Sequence, residues 1–360
     1  MKLPFCTLAS MPRGVQVMGL AMVIAATLTL WESPARAQTA PPPTPALPAA
    51  AAGVPAQPER SLSQWLVRMH DASRNRAYMG TFVVSSTAGG LSSARIWHVC
   101  DGENQLEQVD SLTGPPRSTF RKNDQVVTYM HDSMVARTEV RESLRLFPGL
   151  LRTPQSSIAD FYQVKQLPSE RVAGFAADVL LLQAKDKLRF GYRIWSEKKS
   201  GLVIKLETLD LDGKVLEQAA YSELQLDAPV QMEKVARMMA QTQGYRVEKT
   251  ELQKTTAAAE GWVLAKPVAG FNPMSCLRRA GKSADTAADK TMQWVFSDGL
   301  ATVSLFVEAY DPSRHQREGQ QALAATHSMT QRMGDWWLTA IGEVPPQTLK
   351  SFALGLERAK

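Results

Sequence analysis

The tetrad Ser196-Glu197-Lys198-Lys199 fits S-x-x-K, in which a lysine activates a serine nucleophile at a helix start. Here it falls between β-rich runs at 188–196 and 201–209, beside Lys198-Lys199-Ser200-Gly201. Its plainer reading is a solvated, charged hairpin turn. His98 and Cys100 alternate along one strand and would face a shared metal, but a stable site needs three or four ligands. His70, His131, His315 and His327 stand apart from them and from one another. Asp210 with Asp212, and Glu139 with Glu142, pair carboxylates as an acid and base would, yet turns and solvated strand faces use the same residues. H-E-x-x-H, C-x-x-C, G-x-S-x-G and G-x-G-x-x-G do not occur. The expectation is therefore a protein without catalysis, metal or cofactor.

Recognition is the better use of the side chains. Phe82, Val84, Ile96, Tyr129, Phe190, Tyr192 and Ile194 are available to line one concave sheet face, a surface suited to an acyl chain or an apolar peptide. Strand alternation says which residues share a face and not whether that face is filled, so ordinary core beneath helices stands as the alternative.

The elements that must carry these residues begin at Ser61. Leu62, Trp65, Leu66 and Met69 recur at i, i+3, i+4, i+7 and predict an amphipathic helix capped by Ser61 or Ser63. The period then changes to that of strands at 80–85 and 94–99, and again at 125–130, 188–196, 201–209 and 214–226, with Asp101-Gly102, Asn123-Asp124 and Asp212-Gly213 as turns. Connections this short require antiparallel neighbours, which predicts a meandering sheet. Between Ser143 and Phe161 the pattern lapses into Leu144, Phe147, Leu150, Leu151, Ile158 and Phe161 among prolines and a glycine, read as a broken helical insertion across one sheet face. A domain at 61–229 follows, an antiparallel sheet curved around helices, then a helical connector at 230–243 and a smaller α+β domain at 244–360. The firmest element of that second domain is a hairpin through Ser297-Asp298-Gly299, and Pro345-Pro346 opens its last helix.

Ahead of these domains, Lys2 and Arg13 precede an uncharged run from Gly14 to Trp31, and Ala35-Arg36-Ala37 supplies a cleavage signature, so residues 1–37 read as an export signal. Seven prolines in 38–60 predict an extended tether. Losing Lys2, Arg13 and Arg36 against Glu32 lowers the formal charge from +6 to +4. That mild basic bias favours anionic partners, but without a dense Lys/Arg run it does not point to nucleic acid. Cys100 and Cys276 remain in the exported chain, where an oxidising compartment would allow a disulfide; two buried thiols are the alternative.

Gly80-Thr81-Phe82-Val83-Val84, the run Lys187-Leu188-Arg189-Phe190-Gly191-Tyr192-Arg193-Ile194-Trp195 with Gly201-Leu202-Val203, Arg171-Val172-Ala173-Gly174 and Ser297-Asp298-Gly299-Leu300-Ala301 together resemble the RseB/MucB family in content and order, from about residue 61 to the C-terminus. The departures are the long proline-rich segment and Arg-Phe-Gly-Tyr where a second tyrosine is expected. The resemblance implies an N-terminal half-barrel like that of lipoprotein carriers, plus a smaller C-terminal domain. It implies a periplasmic negative regulator of the sigma-E/AlgU envelope-stress response. Such a protein binds the periplasmic segment of an RseA/MucA-type anti-sigma factor and shields it from proteolysis, and lipopolysaccharide or a related lipid releases the grip. On that reading the apolar face takes acyl chains, and Arg95, Arg189 and Arg193 supply anion contacts. A homo-oligomer stays open. The rival readings are a lipid or lipoprotein carrier, for which the second domain is superfluous, and more remotely a hydrolase that would lose activity in Ser196→Ala.

Overall fold

The computed structural model describes residues 60–140, 158–249, 252–279 and 291–359. The expected export segment, nearly all of the tether, and residues 143–157 of the expected insertion lie outside them.

Helix α1 (Leu62–Arg74) starts where the sequence places it. Ser61 Oγ accepts from the Gln64 amide at 3.3 Å, and the Gln64 side chain accepts from the Ser61 amide at 2.8 Å, a reciprocal capping box. Its stripe of Leu62, Trp65, Leu66 and Met69 is buried.

Two antiparallel meanders follow. The first is β1 (Tyr78–Ser86), β2 (Leu91–Cys100), β3 (Gln105–Ser111), β4 (Arg117–Lys122), β5 (Gln125–Met130) and β6 (Val135–Val140). After α2 (Ile158–Phe161), the second is β7 (Tyr162–Val172), β8 (Phe175–Ala184), β9 (Gly191–Glu197), β10 (Val203–Leu209) and β11 (Val215–Leu226). Pairing of β1 with β11 joins the two into one sheet. Turn chemistry sets the hairpins: between β7 and β8, Ala173 and Gly174 both take positive φ, 49° and 84°, as a tight turn matched to strand twist requires. The β9–β10 turn must also make room for α1. A Cβ on Gly201 would stand 2.8 Å from Arg68 Cγ and 3.1 Å from its carbonyl oxygen.

The expected connector contains α3 (Met232–Ala240), but the next strand, β12 (Arg246–Lys249), does not leave for a second sheet. It pairs parallel with β6 and completes the order β12-β6-β5-β4-β3-β2-β1-β11-β10-β9-β8-β7. Short connections govern only neighbours in sequence. A chain returning after a long excursion through α2–α3 is free to add in parallel.

Beyond residue 250 lie β13 (Leu252–Lys254), β14 (Trp262–Leu264), β15 (Asn272–Arg279), β16 (Thr291–Ser297), β17 (Thr302–Ala309), β18 (Gly319–Leu323), β19 (Thr326–Met333), β20 (Trp336–Gly342), α4 (Pro346–Gly355) and β21 (Leu356–Arg358). They form a second sheet, β13-β15-β16-β17-β20-β19-β18, and the pair β14–β21. The expected hairpin is β16–β17. Pro346 sits in the first turn of α4, where a proline loses no helical hydrogen bond. Phe296, Val303, Leu305 and Leu338 pack with Leu349 and Phe352 of that helix. The described chain is thus α+β, mostly sheet, with few helices.

Three cores serve the large sheet. One joins α1 and α2 to β8–β10 through Trp65, Leu66, Ile158, Leu180, Ile194 and Val203. A second gathers Tyr78, Phe82, Ile96, Trp195, Ile204 and Tyr221. The third places α3, through Val235 and Met239, over Leu106, Phe120, Val127 and Tyr129.

Candidate functional site

Strand register decides which of the expected recognition residues can act together. Ile194 pairs with Leu206, Leu206 with Ala219 and Ala219 with Val84, so one row crosses four strands on a single face. Phe82 is two residues from Val84; Ile96 pairs with Gly80, and Tyr192 lies two residues from Ile194, so all three belong to that face as well. Tyr129 does not. Ile96 leads through Val109 and Thr119 to Thr128, which turns Tyr129 to the other face, where its hydroxyl donates to the Met239 carbonyl at 2.7 Å. Phe190 precedes β9 and meets His327 of the second sheet, with ring centroids 5.8 Å apart.

These side chains also fail to line an open surface as expected. Phe82, Ile96, Tyr129, Phe190, Tyr192 and Ile194 are all buried, and only Val84 is half-exposed. Register puts five of the seven on one face, and α1, α3 and the second sheet fill the space that alternation leaves undetermined.

The expected anion contacts fare worse, for the same reason of period. Arg95 and Arg193 adjoin Ile96 and Ile194 in sequence and therefore point to the opposite face. Arg95 donates to Thr81 Oγ1 at 3.3 Å, and Arg193 to Glu207 at 2.9 Å. Arg189 has no exposed side-chain surface at all. Basic residues that do lie on the apolar row's face include Arg117, two residues from Thr119, and Arg137, paired with Thr128. With Pro115, Pro116, Met130 and the carboxylates of Asp132 and Glu139 they line a cleft of about 610 Å³ over β3–β6, and Arg137 also pairs with Glu248 at 3.2 Å. Sequence reading missed it because the strands beneath are polar and because Arg117 directly follows a Gly-Pro-Pro turn.

The residues that could have done chemistry are spent on structure. Ser196 is buried and donates to the Gly201 carbonyl at 2.9 Å, while Glu197 accepts from the Lys199 and Ser200 amides, so the tetrad is a braced turn. His98 is buried against Tyr78, with ring centroids 4.7 Å apart, and its Nδ1 lies 2.8 Å from the Arg76 carbonyl, which can only accept; Nδ1 therefore carries the proton. Burial lowers its pKa, against the opposing pull of Glu107. Among the described residues no group of His, Cys, Asp and Glu is placed to hold a metal. Cys100 and Cys276 are both free thiols, so the disulfide the compartment would allow is not made. Burial, with Glu260 nearby, pushes the Cys276 thiol up to about 11.

Charge is concentrated instead at the junction of the two sheets. The β8–β9 connection carries Arg189, whose Nη1 donates to Asp298 at 2.7 Å and whose Nε donates to Asp186 at 3.0 Å. Its Nη2 reaches the Ala269 carbonyl at 2.7 Å, and its guanidinium lies 4.4 Å from the Phe161 ring centroid and 5.0 Å from that of Phe271. Burial disfavours this charge, but hydrogen bonding to Asp186 and the charge of Asp298 outweigh it and raise the pKa. Asp298, in the β16–β17 turn, is likewise unexposed and also accepts from Tyr162 at 3.1 Å. The backbone here must come close. At Gly270, with φ of +81°, a Cβ would stand 2.9 Å from Arg189 Nη1 and from Phe161. Two sequence motifs that looked unrelated, Lys187–Trp195 and Ser297–Ala301, are the two halves of one joint.

A large helix-backed sheet keyed to a smaller one through a buried ion pair defines a two-sheet α+β protein, with Ser196, Glu197, Arg189 and Asp298 committed to joints and turns. Family models describe both parts: the MucB/RseB N-terminal domain matches residues 61–239 and the MucB/RseB C-terminal domain matches 256–357. The chain belongs to the MucB/RseB family, whose members are regulatory proteins and not enzymes. It is 27% identical over 308 residues to the sigma factor AlgU regulatory protein MucB of Pseudomonas aeruginosa, covering 84% of this chain and 93% of that one. It is 24% identical over 295 residues to the sigma-E factor regulatory protein RseB of Escherichia coli K12, covering 80% and 88%. In fold it is similar to MucB crystallised in complex with MucA(peri), with a TM-score of 0.62 at 23% identity over 83% of this chain and all of that one.

Proposed function

We propose that this protein is a periplasmic regulator that binds the periplasmic segment of a membrane anti-sigma factor, shields it from proteolysis and so restrains an envelope-stress sigma factor. The observation that carries the reading is the match of both family domains, in order, across both sheets, together with a relative of the same fold crystallised with MucA(peri). Among the described residues no helix is long and apolar enough to cross a membrane. The large sheet acts in this reading as a half-barrel. Contact between β7 and β11, which three strands separate in the sheet, supports the curvature.

Lipopolysaccharide or a related lipid is the releasing signal in this reading. Release needs a lipid that prefers the partner-free form, and a hundredfold preference corresponds to about 2.7 kcal/mol of coupling. The cleft bearing Arg117 and Arg137 takes over the anion-binding part first assigned to Arg95 and Arg193. Calorimetric titration of residues 38–360 with the periplasmic segment of the host's anti-sigma factor should show saturable binding that lipopolysaccharide weakens. An Arg117→Ser/Arg137→Ser variant should need about tenfold more lipid for the same release. Absence of partner binding by folded, monodisperse protein would overturn the reading.

A further inference from the structure

The Ser297–Ala301 turn does more than meet Arg189. Leu300, at its tip, is buried within the core of α1 and β8–β10 together with Leu62, Trp65, Leu66, Tyr162, Leu180 and Ile194. The second sheet thus inserts one aliphatic side chain into the core of the first. Two residues earlier, the Asp298 carboxylate occupies the guanidinium of Arg189. An anionic group followed closely by an aliphatic one is the chemistry of an acyl amphiphile.

The turn is built to move as one piece. Asp298 Oδ1 accepts from the Leu300 and Ala301 amides at 2.9 and 2.6 Å, and Ser297 Oγ donates to the Ala301 carbonyl at 2.9 Å. Its side-chain bonds to the first sheet are polar: Arg189 and Tyr162 donate to Asp298 Oδ2. Polar contacts lie alongside it, next to apolar ones of Leu188 with the core of the second sheet and of Phe190 with His327. Thr348 Oγ1 donates to the Leu188 carbonyl at 2.7 Å, and the Gln347 amide donates to the Lys187 carbonyl. The polar groups among these regain water when they part, which offsets part of the cost of separating the two sheets. A buried ion pair contributes little net stability compared with apolar residues of similar volume, so what it supplies here is a fit that can be undone.

We propose that the Ser297–Ala301 turn is an internal mimic of an anionic acyl ligand and acts as a plug. When Arg189 and Asp298 part, Leu300 leaves the α1 core. The vacated site takes an alkyl chain in place of Leu300 and a carboxylate or phosphate head in place of Asp298, on an Arg189 still braced by Asp186. Binding of such a ligand and docking of the second sheet then exclude each other. This deepens the lipid half of the function proposed above and rests on it, whereas the partner half is untouched.

The test is fluorescence titration of residues 38–360 with dansyl-labelled undecanoic acid, run beside a dodecyl phosphate competitor and an uncharged dodecyl maltoside competitor. Leu300→Ser and Asp298→Asn should bind the probe at least tenfold more tightly than the wild type. Arg189→Met/Asp298→Leu, which keeps the joint closed and removes the cation, should bind it at least tenfold more weakly. Carboxylate and phosphate amphiphiles should both displace the probe, and the maltoside should be at least tenfold poorer. Near-ultraviolet circular dichroism and a cooperative thermal transition, required of each variant, separate an opened joint from an unfolded one. Lipopolysaccharide binding is measured on the wild type in parallel. Equal probe affinity in all variants with lipopolysaccharide still bound would remove the plug and leave the lipid reading; no binding of either would remove both.

Discussion

At the scale of single residues, position in the pleat decided more than residue type. Arg95, Arg189 and Arg193 share a charge, but one bonds a threonine, one pairs with a strand glutamate and one is enclosed by both sheets. Nothing in the sequence announces that Arg189 and Asp298, 109 positions apart, will meet. The signal that existed was their presence in two compact motifs, one read as an anion contact on a strand and the other as a hairpin turn. His98 shows how burial turns a bland residue into a measurable one. Its folded pKa lies below the 6.5 of an unfolded histidine, so the unfolded chain binds the proton first as pH falls. Stability is therefore complete above 6.5 and erodes as pH drops from there toward the folded value. Comparing thermal unfolding at about pH 7.5 and about pH 5, the wild type should lose more stability than His98→Gln, whose side chain can still donate to the Arg76 carbonyl. Equal losses would mean that His98 is not held neutral.

Among elements, legibility followed hydrophobic contrast. Helix α1 was readable to within two residues of its cap, because a 3.6-residue stripe follows Ser61 and Ser63, and the structure selects Ser61. Replacing Ser61 with alanine should cost about 1 kcal/mol in chemical denaturation, with the slope unchanged. Gln64→Ala should remove part of the same box, and a double variant should cost less than the sum of the two. Strands such as β3, β4 and β7 escaped notice because their exposed faces are polar and Pro168 interrupts β7, an edge strand where proline costs no ladder bond. The parallel strand β12 was invisible for a different reason. Four residues, Arg246-Val247-Glu248-Lys249, carry no period of their own, and only the presence of β6 makes them a strand.

For the molecule as a whole, the α+β layout and the division into a larger and a smaller sheet were evident from the order of runs, turns and prolines. How the parts join was not, since that depends on side chains meeting across long separations in sequence. Free Cys100 and Cys276 mean that joining is noncovalent. Ellman titration of residues 38–360, purified without reductant and unfolded in guanidinium, should find two thiols per chain, and added reductant should leave the melting temperature unchanged. One intramolecular disulfide, giving no titratable thiol, would contradict the structure.

The pairing of β1 with β11 has a consequence in time. Every other neighbour among β1–β6 and β7–β11 is a local hairpin, able to close within microseconds of appearing, but this seam brings Tyr78 to Leu226 across about 150 residues. As the chain emerges amino end first, β1 waits with one edge bare until β11 has followed, and α3 and β12 can cover β3–β6 only later still. The segment from Tyr78 to Ser86, rich in β-branched and aromatic residues, is thus the one most in need of a chaperone or of speed.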